Sequence, residues 1–195
     1  VGGPADPGAF TGGGMWTGFW SEIRAANTII DAIGTATALS SQQQAAVTGM
    51  AKTFKALAYY RLLEMRDSLG IPLAVDAPIT AAPAPFVCKP NVLDYVLALL
   101  DSGYASLQTA GGTPFPFALP SGFSLHGDYS TPAAFAAWNR GLAGKVAFYR
   151  GMDHSKPNPA SFNTAITDLN LAIGALSPAT LDNSVYYVYS TAPGD

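Results

Sequence analysis

The sequence predicts an all-α fold of paired helices, and three observations carry that prediction. Apolar residues recur at three- and four-residue steps through most of the chain. Gly and Pro, 20 and 15 of the 195 residues, gather between those stretches rather than inside them. A short segment late in one helix pair, Ala58-Tyr59-Tyr60-Arg61, returns late in a second pair as Ala147-Phe148-Tyr149-Arg150. A single helical hairpin leaves an apolar face uncovered, so stacking hairpins into a tetratricopeptide-like array with long irregular loops is the natural solution.

Residues 1–14 are rich in Gly, Pro and Ala and read as an irregular lead-in. The first helix follows over about Met15 to Ile33, where Trp16, Trp20, Ile23, Asn27 and Ile30 share one face. A second helix over Ser41 to Leu69 carries Val47, Met50, Phe54, Leu57, Arg61 and Met65. Ser41 with Gln44 fits a capping box, and Gly70 with Pro72 fits a helix stop. Asn27 and Arg61 interrupt apolar stripes and are expected to act as ties between helices, because a buried polar group needs a partner.

A Pro-rich connection over Pro72 to Pro90 leads to a third helix marked by Val92, Tyr95, Val96, Leu99, Leu100, Tyr104 and Leu107, with Asn91 as its expected N-cap. Ala110 to Ser130 is too broken by Gly and Pro for regular structure and reads as a long loop. Thr131-Pro132 opens a fourth helix through Phe135, Trp138, Leu142, Val146 and Tyr149, in which Gly141 and Gly144 weaken the helix or admit a close neighbour. Asn158-Pro159 opens a fifth, with Phe162, Ala165, Ile166, Leu169, Ala172, Ile173 and Leu176 as its expected buried stripe and Pro178 ending it. Ser184 to Ser190 is β-prone by composition.

Composition narrows the function classes. A formal charge of −3 and no run of Lys or Arg argue against nucleic acid as a partner. No apolar stretch reaches the roughly 20 residues that a membrane helix needs, and Val1-Gly2-Gly3-Pro4 does not read as a signal peptide. Cys88 is the one cysteine and is expected to be a partly buried small apolar residue. His126 and His154 lie in loops without a Cys, Asp or Glu at metal-ligand spacing, so neither a metal nor a cofactor is expected. Ser124, His126 and Asp128 contain the residue types of a hydrolase triad without a nucleophile-elbow motif, and the expectation is a loop and no enzyme.

Aromatic faces are where binding could reside, since they suit stacking on sugar rings or peptide side chains. Trp20, Phe54, Trp138 and Phe162 fall on helical stripes and read as core. Trp16, Phe115, Phe117, Phe123 and Tyr129, with His126 among them, lie at a helix start or in the long loop and are the candidates for exposure and ligand contact.

The string Phe19-Trp20-Ser21-Glu22-Ile23-Arg24-Ala25-Ala26-Asn27-Thr28-Ile29-Ile30 resembles the aromatic-x-x-Ile-x-x-x-Asn-x-Ile-Ile opening of the SusD/RagB family of outer-membrane nutrient-binding lipoproteins. Ala51 to Leu62 is similar to that family's Ala-x-x-x-(Arg/Lys)-Ala-x-x-Tyr-x-x-Leu helix, Val92 to Leu107 to its next helix, and Thr131 to Gly151 to the one after. The chain departs from the pattern at Gly70-Ile71-Pro72, where the family often has Gly-Asp before Pro, and at Asp101-Ser102, where it has Asp-Leu.

The resemblance spans roughly Trp16 to Leu176 and implies one SusD-like helical domain over residues 1–195, part of a longer protein. It implies a bacterial outer-membrane, cell-surface location through a lipid anchor on a cysteine that this chain lacks, Cys88 being internal. It further implies non-catalytic binding of a glycan nutrient and delivery to a SusC-like TonB-dependent transporter. Two alternatives stay open: peptide uptake, and a helical-repeat scaffold without a small ligand.

Overall fold

The computed structural model describes residues 13–73, 75, 80–173 and 185, and the fold it shows is all-α. Helix α1 (Gly13–Ile33) begins within the Gly-rich lead-in, two residues before the expected start. Helix α2 (Ser41–Arg66) is capped one residue earlier than the sequence suggests. Ser40 is the residue with extended backbone, so its Oγ accepts from the Gln43 N–H at 3.2 Å while Gln43 Oε1 accepts from the Ser40 N–H at 3.0 Å. Gln44, expected in the box, instead donates to the Ala36 carbonyl and fastens the α1–α2 turn.

α2 tightens into a single 3-10 turn over Asp67–Leu69 and stops at Gly70, whose φ is +66°. A side chain there would be strained by that backbone and would place its Cβ 1.9 Å from the Val87 carbonyl oxygen. This close approach allows strand β1 (Ile71–Pro72) to pair antiparallel with β2 (Phe86–Val87), Ile71 opposite Val87. The pairing was not legible in the Pro-rich connection, because two-residue strands carry no periodicity.

Helix α3 (Lys89–Ala110) starts before Asn91. Cys88 holds the N-cap position with extended backbone and Pro90 occupies the first turn, so Asn91 already lies inside the helix. Cys88 is exposed rather than partly buried. The long loop contains one 3-10 turn, Ser121–Phe123. Helix α4 (Pro132–Gly151) opens as the sequence predicts, with Thr131 Oγ1 accepting from the Ala134 N–H and Pro132 at the first position. Helix α5 (Ala160–Ile173) follows Asn158-Pro159, but Ile166, Leu169 and Ile173 of its expected buried stripe are exposed, because the face packed inward carries Ser161 and Asp168 along with Ala165. The expectations for Leu176, Pro178 and most of Ser184 to Ser190 fall outside the described residues.

Each helix packs most extensively on its neighbours in sequence, α1 on α2, α2 on α3, α3 on α4 and α4 on α5, and α2 also touches α4. Two apolar cores result. The first joins α1 to α4 through Ile23, Tyr59, Leu62, Leu93, Val96, Leu100 and Val146 and extends to Ile71 of β1. Tyr59 is fully buried there with its hydroxyl donating to the Leu73 carbonyl at 2.8 Å, which satisfies the one polar atom its ring carries inward. The second core gathers Phe115, Phe123, Phe135 and Leu107 beneath the long loop, with Phe54 and Trp138 against it.

Polar ties cross these cores, but Arg61, one of the two residues expected to make them, is not among them. Arg61 is exposed and pairs with Glu64 of its own helix, so it is no inter-helix tie. Its counterpart in the echoed segment, Arg150, is buried, and it reaches Asp94 of α3 at 2.6 Å and the Lys156 carbonyl at 2.8 Å. Asn139 donates to Thr53 Oγ1 of α2 at 2.8 Å and to the Leu100 carbonyl of α3 at 3.2 Å. Arg140 binds Asp101 of α3 at 2.7 Å and Asp168 of α5 at 3.0 Å. Asn27 is half-buried on α1.

Candidate functional site

Two helix faces with the same spacing meet across the α2–α4 seam. Leu57, Tyr60, Arg61 and Glu64 occupy positions i, i+3, i+4 and i+7 on α2, and Trp138, Gly141, Leu142 and Lys145 occupy the same positions on α4. Because α2 and α4 touch only lightly, their facing side chains leave a groove of about 440 Å³ between them. Leu57, Ala137, Gly141 and Leu142 contribute its apolar lining, Tyr60, Trp138 and Tyr129 its aromatic lining, and Arg61 and Lys145 its charges. The C-terminal end of α5, at Ala172 and Ile173, and Val185 complete it.

Helix α5 reaches the groove because Gly144 lets it approach α4. A Cβ at that position would meet Leu169 Cγ at 2.6 Å and the Ala165 carbonyl at 3.2 Å. Gly141 is less constrained, since a Cβ there would make ordinary contact with Ala172 at 3.6 Å. The close-neighbour reading of the α4 glycines therefore applies to Gly144.

Charge in the groove is organised around one carboxylate. Glu64 Oε2 accepts from Arg61 Nη1 at 2.8 Å, and Glu64 Oε1 lies 3.6 Å from Lys145 Nζ. The Lys145 ammonium also sits 5.1 Å from the Tyr60 ring centroid, within cation–π range. Burial, followed by the negative charge of Glu64 and a hydrogen bond with it, pushes the Tyr60 hydroxyl well above the usual phenol range. Tyr60 therefore stays neutral, and at 3% exposure, with Lys145 over its ring, it underlies the groove as a packed core residue.

A second concavity continues from Tyr60 past Tyr149, whose rings lie 6.4 Å apart, to Lys89 and Asp67. It adjoins a cleft of about 520 Å³ beside Lys89, Tyr149, Asp153 and His154 at the start of α3. Lys89 pairs with Asp67 there, and hydrogen bonding and charge from Lys89 hold the Asp67 carboxyl below its usual range. Burial tends to raise Asp153, but bonds from the Ser155 side chain and the backbone of Ser155 and Lys156 outweigh it and lower the carboxyl overall.

The residues singled out from the sequence scatter over three places. Tyr129 joins the groove. Phe115 and Phe123, expected to be exposed, are each only 7% exposed, because they close the second core against Phe135 with ring centroids 5.7 and 5.6 Å away. Phe117 is exposed and stacks on Phe115. Trp16 is half-buried against the first core, packed edge-on against Trp20 and 5.8 Å from the Arg66 guanidinium. His126 is exposed on the long loop. Its neighbours are held in local turn bonds: Ser124 Oγ donates to the Ser121 carbonyl at 3.3 Å, and Asp128 accepts from the Ser130 N–H at 2.9 Å.

Tyr60, Arg61 and Lys145 were missed as site residues. The echoed Ala-Tyr-Tyr-Arg segment carried a partial signal, since it contributes Tyr60 and Arg61 on α2 and Tyr149 on α4. Trp138, read as core, both packs on the second core and lines the groove. Among the described residues no cluster of three or more His, Cys, Asp or Glu could hold a metal ion, and no helix is long and apolar enough to cross a membrane. Comparison with known protein families, curated proteins and solved structures finds no match.

Proposed function

We propose that this chain is the helical part of a SusD-like surface lipoprotein. In this reading it captures a glycan nutrient without breaking any bond and hands it to a TonB-dependent transporter in the bacterial outer membrane. Serial packing of α1 to α5 suits a tetratricopeptide-like array, and such an array offers a rigid support against which a transporter could rest. The observation that carries the proposal is the α2–α4 groove, where the half-buried Trp138 and Tyr129 line one channel with Arg61 and Lys145, above the buried Tyr60. Aromatic faces take the apolar C–H faces of sugar rings, and charged donors fix their hydroxyls.

Calorimetric titration of the chain with a panel of oligosaccharides tests this reading. Saturable binding that quenches tryptophan fluorescence and weakens in Tyr129→Ala, with helical content unchanged, is expected. Binding of none of the oligosaccharides would overturn it. Co-purification with a TonB-dependent transporter from the native membrane is the corresponding test of hand-over.

A further inference from the structure

We infer that the α2–α4 groove selects an acidic glycan, one whose sugar units carry carboxylates, over a neutral one. This rests on the glycan reading above and adds the charge of the ligand to it. Arg61 and Lys145 are the charged residues lining the groove among the described residues, and both are cations. Glu64, at the groove's edge, is shared between them. Two positive charges against one negative leave the groove with a positive excess, although the chain as a whole carries −3.

The kind of anion follows from Glu64 itself. A carboxylate already spans the two cations, one oxygen 2.8 Å from Arg61 Nη1 and the other 3.6 Å from Lys145 Nζ. A guanidinium fork matches the planar carboxylate better than it matches a neutral hydroxyl. A uronate carboxylate can therefore take up the same two donors, while its ring lies against the half-buried Trp138. All three charged side chains are at least a third exposed, so the ligand reaches them without unfolding either helix.

The test is calorimetric titration of the full chain with a uronic-acid oligosaccharide, its carboxyl-reduced neutral counterpart and an oligoglutamate peptide. The acidic sugar is expected to bind about ten-fold more tightly than the neutral one, equivalent to about 1.4 kcal/mol. That preference should shrink when ionic strength rises from about 0.01 M to about 0.15 M, as the Debye length falls from about 30 Å to about 8 Å. Lys145→Gln should weaken acidic-sugar binding by about five-fold, the upper range for one exposed pair. Lys156→Gln, the same charge change outside the groove lining, should not.

Glu64→Gln is the decisive variant. It releases both cations from their internal carboxylate and is expected to tighten binding of the acidic sugar several-fold while leaving the neutral sugar unchanged. A merely structural role for Glu64 would give no such gain. Equal affinity for acidic and neutral sugars would overturn the charge inference and leave glycan binding standing. Preference for oligoglutamate, or binding of neither sugar, would overturn the glycan reading as well.

Discussion

Replacing Arg140 with Met removes the positive centre that ties α3, α4 and α5 together. Arg140 is 4% exposed and its Nη1 reaches Asp101 at 2.7 Å and Asp168 at 3.0 Å, while Nε and Nη2 donate to Asn139 Oδ1. Its guanidinium also lies 4.5 Å from the Tyr104 ring centroid. Asp101 is largely solvated and tolerates the loss, but Asp168 is 5% exposed and its Oδ2 is already without a hydrogen-bond partner. Stranding that carboxylate should cost about 3 kcal/mol, the low end for breaking a buried pair, because the network opens to water at Asp101. Urea unfolding followed by far-UV circular dichroism at pH 7 reads this as a fall in midpoint with little change in slope.

The pH dependence carries a definite sign. Burial raises the Asp168 carboxyl above its ordinary value even though Arg140 opposes the shift. A raised carboxylate means that the folded state binds more protons than the unfolded one, so its favourable contribution is present below the unfolded value of 3.8 and is lost as pH rises through the folded value. Without Arg140 the folded value climbs further, so the deficit of Arg140→Met relative to the parent should narrow between pH 7 and pH 5. Adding Asp168→Leu to Arg140→Met should recover much of the loss, because an apolar pair can replace a buried ion pair at little cost. A double variant no more stable than the single one, together with a deficit that does not change with pH, would refute the electrostatic account.

Two further outcomes follow from the packing. Gly144→Ala should destabilise by about 1–3 kcal/mol through overpacking, and pairing it with Leu169→Ala should relieve the clash that the 2.6 Å approach implies; thermal melts of both variants decide this. Phe123→Ala should cost about 3 kcal/mol by opening a cavity in the second core, whereas Phe117→Ala on the exposed side of the same loop should shift the melting midpoint little. Equal effects of the two Phe substitutions would show that the loop is not anchored as described.

Sequence periodicity alone determined that this chain is helical and located α1 to α5, because a one-sided apolar stripe is a property of local spacing. Thr131-Pro132 also placed the start of α4 correctly, since capping by the next turn is a local event. One-residue errors arose where neighbouring residues offered similar chemistry. Ser40 and Ser41 can both cap, and only the backbone conformation selects Ser40.

What the sequence could not decide is which side of a side chain meets another helix. Phe115, Phe123 and Phe117 look alike in a Gly- and Pro-rich loop, but the space beneath it admits the first two and leaves the third outside. Arg61 and Arg150 occupy equivalent places in the echoed segment. Arg150 meets Asp94 of α3, and Arg61 pairs with Glu64 of its own helix and stays at the groove. The groove depends on residues 57–64 of α2 and 138–145 of α4 coming face to face without closing. That juxtaposition is set by how α3 packs against both helices, which is a property of the tertiary structure and of no local segment.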